Sequence, residues 1–239
     1  MSSQIRIIDT GDGSHSLLNL AMDETYHSRH GALRESRHVF IRHGLQHWQQ
    51  LHPRANDIHI FEMGMGTGLN LILTLQEALL KPSIAYHYTT IEAFPLDSAV
   101  AQQLNYPELL GQNERLNSLF KEIHLCSWNE VYQLLPNFEL HKLHSSLEGF
   151  DADDQTFDLV YYDAFAPNKQ AALWTLEVMQ KVSSMLRSGG VFVTYSAKGQ
   201  LKRDLKSLGL TVETLTGPPG KAEMVRASRN EPSSFSVHH

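Results

Sequence analysis

One cysteine, Cys126, stands in 239 residues, so no intramolecular disulfide can form and the fold has to be held by its core. No apolar run is long enough to span a bilayer and no secretory leader is present, which makes a cytoplasmic protein away from the membrane the expectation. The fourteen histidines are scattered without a ligand spacing such as His-Glu-x-x-His, so no metal is expected. Positive charge is also short: 20 Lys and Arg face 26 Asp and Glu, and at -6 the whole chain is not the electrostatic footprint of a nucleic-acid binder. What remains is an ordinary globular composition, 41% apolar and 19% charged, in a length that suits one large domain.

The chain organises around residues 57–70, DIHIFEMGMGTGLN, which read as strand, glycine turn and helix. Ile58, Ile60 and Phe61 suit a buried parallel strand, while Leu69, Leu71, Ile72 and Leu75 recur at helical spacing. Gly64, Gly66 and Gly68 supply the turn between them, because a residue without Cβ tolerates positive φ and close approach to a ligand. The spacing is not a dinucleotide fingerprint, since Leu69 stands where the third small residue is required, and no Gly-Lys-Ser/Thr follows to make a phosphate loop. An acid, Glu62, ends the strand instead. It would repel phosphates but suits a ligand carrying an ammonium and a sulfonium, as S-adenosylmethionine does. A second acid, Glu92, ends the β-rich run 86–91 at the distance where ribose hydroxyls are held in nucleotide-binding βαβ units.

Ahead of this unit, residues 4–9 and 14–19 predict a hairpin around Thr10-Gly11-Asp12-Gly13. Residues 26–48 predict a helix with Leu33, Phe40, Ile41, Leu45 and Trp48 on its apolar stripe and a basic opposite face, Arg29, Arg34, Arg37, Arg42 and Arg54 being opposed only by Glu35. Beyond Glu92 the pattern predicts a helix near 96–104, a polar connection over 113–120, strand-like runs at 121–126 and 138–144, and an acidic loop over 151–154. A buried strand follows over 156–163, then a helix over 171–186 stopped by Gly189-Gly190, a strand over 191–195, a helix through Leu201, Leu205 and Leu208, and a hairpin around residues 217–220. The alternation gives a doubly wound, mostly parallel α/β sheet of the Rossmann-like type with an N-terminal hairpin and helix extension. We divide it as an extension over 1–54, a core domain over 55–229 and a disordered tail over 230–239.

The strand over 156–163 ends on Asp163-Ala-Phe-Ala-Pro167, beside the glycine-loop strand, where a cofactor meets its substrate in such sheets. An aliphatic amine has a pKa of about 10 and is protonated at neutral pH, so it cannot attack a methyl group until a base takes its proton. An acid, an aromatic and a proline at this spot resemble the catalytic loop of amine-directed methyltransferases, with Asp163 able to take that proton or to hold the neutral amine in line with the sulfonium, and Phe165 to stack on a base.

Four ordered stretches, IFEMGMGTGLN, YTTIEAFPL, YYDAFAPNKQAALWT and GPPGKAEM, together with YHSRHGALRESRHVFI, resemble the methyltransferase domain of the MnmC/MnmD family, which completes 5-methylaminomethyl-2-thiouridine at the wobble position of tRNA. The resemblance implies methyl transfer from S-adenosylmethionine to the aminomethyl nitrogen of uridine 34, with tRNA as partner and Asp163 as the active-site acid. It also implies Glu62, Gly64, Gly66, Gly68, Asn70, Glu92 and Ser146 on the cofactor, and Tyr26, Ser28, Arg34, Arg37, Phe165, Pro167 and Lys221 on the substrate. Two departures stand out. Ser145-Ser146 replaces a Gly-Asp whose acid faces adenine, with Glu148 and Asp151 nearby, and Lys221-Ala222-Glu223 replaces Lys-Arg-Glu. Two rival expectations are an aminopropyltransferase resembling spermidine synthase, which needs more acids around a polycation, and a non-catalytic RNA-binding module, which would not need Asp163. Oligomeric state is not encoded in any of these motifs.

Overall fold

The computed structural model describes residues 4–111, 113–153 and 155–230. Strands β1 (Ile5–Asp9) and β2 (His15–Asn19) form the expected antiparallel hairpin, and a two-residue β3 (Glu24–Thr25) extends it to a small sheet. Its turn is held by Asp12, whose Oδ1 accepts from the Thr10 hydroxyl at 2.9 Å and from the Ser14 N–H at 3.1 Å. A continuous helical run follows, made of α1 (Ala32–Ser36), a π-helical segment (Arg37–Gln46) and α2 (His47–Leu51). It starts later than the apolar stripe suggests, because residues 26–31 serve as connection and Gly31 takes φ 144.

The core alternates β4 (Asp57–Met63), α3 (Leu69–Leu80), β5 (Ala85–Glu92), α4 (Ser98–Ala101), α5 (Tyr106–Leu109), α6 (Glu114–Leu125), β6 (Glu130–Leu135), β7 (Phe138–His144), β8 (Phe157–Tyr162), α7 (Leu176–Ser184), β9 (Leu186–Thr194), α8 (Gly199–Ser207), β10 (Thr211–Thr216) and β11 (Glu223–Ser228). These strands make one eight-stranded sheet in the order β10-β11-β9-β8-β4-β5-β7-β6. Pairing is parallel from β9 through β8, β4 and β5 to β7, whereas β11 and the edge strand β6 run antiparallel to their neighbours. The chain winds one way from β4 to β7 and the other way from β8 onward, so the carboxyl ends of β4 and β8 flank the crevice at which such sheets bind ligands.

Side chains alternate across the sheet. Ile58 and Ile60 of β4 join Tyr86 and Tyr88 of β5 in a core shared with Phe40, Leu45 and Trp48 of the N-terminal helical run and with α3 and α6. Phe61 points the other way, into a second cluster with Val160, Phe192, Met179, Val182, Leu201 and Leu205 under α7 and α8. Glu62 therefore continues the face of Ile58 and Ile60, and is drawn into the interior with no exposure.

Several boundaries differ from the sequence expectation. Residues 121–126 are not a strand, and 113–120 is not a connection: both belong to α6, where Leu116, Leu119, Phe120 and Ile123 are buried at helical spacing and the Asn113 side chain caps the first turn by accepting from Arg115 N–H at 2.9 Å. The third parallel strand is β7, paired with β5 from Phe138 to His144. The helix expected over 96–104 shrinks to one turn, α4, capped by Asp97, before α5. The helix over 171–186 is a 3₁₀ turn (Ala171–Trp174) followed by α7, whose N-cap Thr175 accepts from Val178 N–H. Gly189 and Gly190 do not stop that helix. Pairing of Leu186 with Phe157 pulls the chain into β9 directly after Met185, and the glycines lie inside the strand, where its register on β8 shifts. Of the tail expected over 230–239, all but Asn230 lies outside the described residues.

Candidate active site

Gly64, Gly66 and Gly68 all take positive φ, at 86, 50 and 73, and carry the chain from the end of β4 into α3. The turn is tight as well as left-handed, since a Cβ on Gly66 would lie 3.2 Å from the Tyr26 ring and one on Gly68 would lie 3.0 Å from His124 Nε2. Glu92, at the tip of β5, locks this loop. One carboxylate oxygen accepts the Gly66 N–H at 3.0 Å and the other accepts the Phe94 N–H at 2.9 Å. Burial raises the Glu92 pKa, and these backbone donors oppose the rise.

Glu62 is in a different condition. In register it lies beside Thr90 of β5 and Tyr161 of β8, under the crevice. Neither of its oxygens has a hydrogen-bond partner, and the hydroxyls of Tyr88 and Thr90 and Oδ1 of Asn70 are likewise buried without one. Burial pushes the Glu62 pKa up to about 8; Asp163 adds to the rise, while the polar atoms of Thr90, Tyr88 and Asn70 offset only part of it. A buried carboxylate with free lone pairs and a cluster of unused polar atoms is the arrangement a cationic ligand would complete.

Asp163 follows the last residue of β8. Asn70, in the first turn of α3, donates Nδ2–H to Asp163 Oδ2 at 2.8 Å. Burial raises the acid to about 7, Glu35 adds to the rise, and Asn70 and Lys221 counter it. The loop beyond is braced at several points: Tyr195 Oη donates to Ala164 O at 2.8 Å, Trp174 Nε1 to Phe165 O at 2.8 Å, and Lys169 Nζ reaches the carbonyls of Met22 and Asp23 at 3.0 and 2.9 Å. Phe165 meets Tyr26 edge to face at 5.1 Å, so an aromatic pair stands beside the acid, and Pro167 continues the same partly buried loop.

The remaining expected residues divide into those brought to this crevice and those held elsewhere. Lys221 is at it, ion-paired to Glu35 and with Nζ 3.7 Å from the centroid of the Tyr195 ring. Ser28 donates its backbone N–H to Glu35 Oε2 at 2.7 Å, and its hydroxyl accepts from His30 N–H at 3.2 Å. Ser146 is exposed and accepts from Gly149 N–H at 3.3 Å, whereas Ser145 is tied to Glu92 through its N–H to the Glu92 carbonyl at 3.1 Å. Arg34 is turned back onto the chain, 3.7 Å from Asp12 and donating to His30 O at 2.7 Å. With Arg37, His38 and Arg42 it lines a groove of about 370 Å³ against Leu73, Gln76 and Glu77 of α3. Glu35 and Tyr195 escaped the sequence reading. The signal for Glu35 is that it is the lone acid among the basic residues 29–54, and yet it is only 4% exposed.

Among the described residues no helix is long and apolar enough to cross a membrane, and no group of three or more His, Cys, Asp or Glu could hold a metal ion. Residues 138–230 match the family model described as S-adenosyl-L-methionine-dependent methyltransferase. The tRNA 5-methylaminomethyl-2-thiouridine biosynthesis bifunctional protein MnmC of Pseudoalteromonas atlantica is 29% identical over 230 residues, covering 85% of this chain and 30% of that protein. Its namesake in Ectopseudomonas mendocina is 29% identical over 220 residues, covering 87% of this chain and 32% of that one. The chain thus spans about a third of the length of these curated relatives. The crystal structure of MnmC2 from Aquifex aeolicus superposes with a TM-score of 0.78 at 26% identity, over 95% of this chain and 71% of that one. With that fold and a glycine loop between two strand-end acids, the chain is similar to the MnmC proteins over most of its length, and residues 138–230 match the S-adenosyl-L-methionine-dependent methyltransferase family model.

Proposed function

We propose that this protein methylates the aminomethyl nitrogen of 5-aminomethyl-(2-thio)uridine at the wobble position of tRNA, in the cytoplasm. The observation that carries the reading is Asp163: a carboxylate raised to about 7, anchored through one oxygen by Asn70 and flanked by the Tyr26–Phe165 pair. An acid tuned to the working pH is suited to take a proton from an ammonium, which an ordinary surface aspartate does poorly. The names borne by the MnmC relatives supply the candidate substrate.

The cofactor fits the residues present. Glu62, buried with both oxygens unpaired, would hold its cationic aminoacyl end, and Glu92 with the glycine loop its ribose. S-adenosylmethionine, when bound, supplies a methyl group activated on a sulfonium. Asn70 fixes the Asp163 carboxyl through Oδ2, which leaves Oδ1 to accept the proton of the amine and align its lone pair. Tyr26 and Phe165 offer aromatic surface to the uracil ring, and Arg37 and Arg42 offer cations to the backbone phosphates.

The test is single-turnover transfer from tritiated S-adenosylmethionine to tRNA lacking the methyl group, for the wild type and for Asp163→Asn. We expect methylation of wobble-position nucleosides by the wild type and a loss of about 10²- to 10⁴-fold in the variant, partly recovered as pH rises and more of the amine is already neutral. Absence of wild-type transfer to this nucleoside would remove the substrate; equal rates for both proteins would remove Asp163 as the base.

A further inference from the structure

Glu35 and Lys221 are 186 positions apart, yet they form an ion pair in which the acid is only 4% exposed. Ion pairs buried this way are weak sources of stability, because desolvation of both charges consumes most of the attraction. What surrounds the pair is more informative. Lys221 Nζ rests on the face of Tyr195, the Tyr195 hydroxyl holds Ala164 O at 2.8 Å, and Ala164 adjoins Asp163. The turn bearing Lys221 is itself seated on the N-terminal segment. Gly220 takes φ 88 with its Cα so near the His30 ring that a Cβ would lie 2.1 Å from Cδ2, and His38 Nε2 lies 2.8 Å from Thr216 O.

We propose that Glu35 and Lys221 are a positioning pair that holds the loop of Asp163 and balances the charge around it, so that Asp163 keeps its working protonation state. This rests on the reading of Asp163 as the base. Asp163 is faced by Asn70 from α3, Glu62 from β4, Tyr88 from β5, Glu35 from α1, Lys221 from the β10–β11 turn and Tyr195 just beyond β9. Of these, Glu35 disfavours the Asp163 carboxylate and Lys221 favours it. Held together they act on the acid with opposite sign; removing either leaves the other acting alone.

The test follows Asp163 directly, by NMR titration of protein labelled with ¹³C at the aspartate carboxyls, with the Asp163 signal assigned from its loss in Asp163→Asn. Glu35→Gln keeps an acceptor for the Ser28 N–H but loses the charge, and should lower the Asp163 midpoint. Lys221→Met should raise it. Each shift is expected to be on the order of one pH unit, and the double variant should return to within a few tenths of a unit of the wild type. A pair that merely braces the fold would lower the melting temperature and leave the midpoint in place, or move it the same way in both variants; either result overturns the proposal. If Glu35→Gln does not fold, Lys221→Met at the partly exposed turn decides alone: a raised midpoint upholds the pair and an unmoved or lowered one overturns it. No RNA enters the titration. Opposed shifts in a protein that fails to methylate tRNA would uphold the pair and dismiss the substrate.

Discussion

Glu62 is a carboxylic acid kept in the wrong solvent. With no exposure and a pKa pushed up to about 8 by burial, it holds a proton at neutral pH until a positive charge arrives to favour the ionised form. Binding a cationic cofactor there must then expel that proton. Calorimetry at pH 7 in two buffers of different ionisation heat should show release of close to one proton per S-adenosylmethionine bound, and affinity should strengthen about tenfold per unit from pH 6 toward 8 before levelling. Asp163 titrates nearby, so Glu62→Gln is the control: it should bind more weakly and release far less. Binding with no proton release in the wild type would take Glu62 out of contact with the charge. Its place at the end of a buried strand was legible in the sequence because that strand and the glycines that follow it lie within one local stretch.

The π-helical segment Arg37–Gln46 shows how an element changes what its residues can do. A π register brings residues five apart into line, and His38 and His43 indeed meet at 4.7 Å between ring centroids. The same spacing relates Arg37 to Arg42, which line one groove while Val39, Phe40, Gly44 and Leu45 face the sheet. Arg34 is occupied with Asp12 and His30 O, which leaves Arg37 and Arg42 as the cations available to a phosphate chain. Charge reversal at both, Arg37→Glu with Arg42→Glu, should raise the Michaelis constant for tRNA and flatten its salt dependence by about two units of log-log slope, with cofactor affinity unchanged. Wild-type kinetics across a salt series would make the groove an ordinary solvated face. The apolar stripe of this segment was readable from spacing alone, but its register was not, since π and α helices share the same apolar composition. Likewise KEIHLC has the composition of a strand and became the last turn of α6, because Leu116, Leu119 and Phe120 upstream had already set a helical face for Ile123 to extend. The Glu35–Lys221 pair was illegible for another reason: only the folded chain brings residues of the first helix against the turn between β10 and β11.

Across the whole molecule, the buried titratable groups set a pH profile of stability. His27 and His124 are buried and held neutral, each with a pKa lowered to about 4, chiefly by burial. Between about 6.5 and 4 the unfolded chain binds protons at these histidines that the folded one refuses, so their contribution to stability is lost as pH falls through that window. Glu62 and Asp163 act with the opposite sign. Their folded pKa values, about 8 and about 7, lie above the ordinary values of 4.5 and 3.8, so the folded protein retains protons that the unfolded chain has already released. Stability therefore falls as pH rises from the unfolded values through the folded ones. Below about 6.5 the two pairs oppose each other, and above it only the acids remain. The melting temperature of the ligand-free protein should accordingly decline from about pH 6.5 to 8, most of the alkaline decline being removed in a Glu62→Gln, Asp163→Asn double variant. S-adenosylmethionine should oppose the same decline, because a ligand that binds the ionised Glu62 binds more tightly as pH rises toward 8 and so stabilises the fold more there. Scanning calorimetry over pH 5 to 8.5, with and without the cofactor, reads all of these at once, and a melting temperature that is level or rising from 6.5 to 8 in the ligand-free wild type would mean that the two acids are not held protonated by the fold.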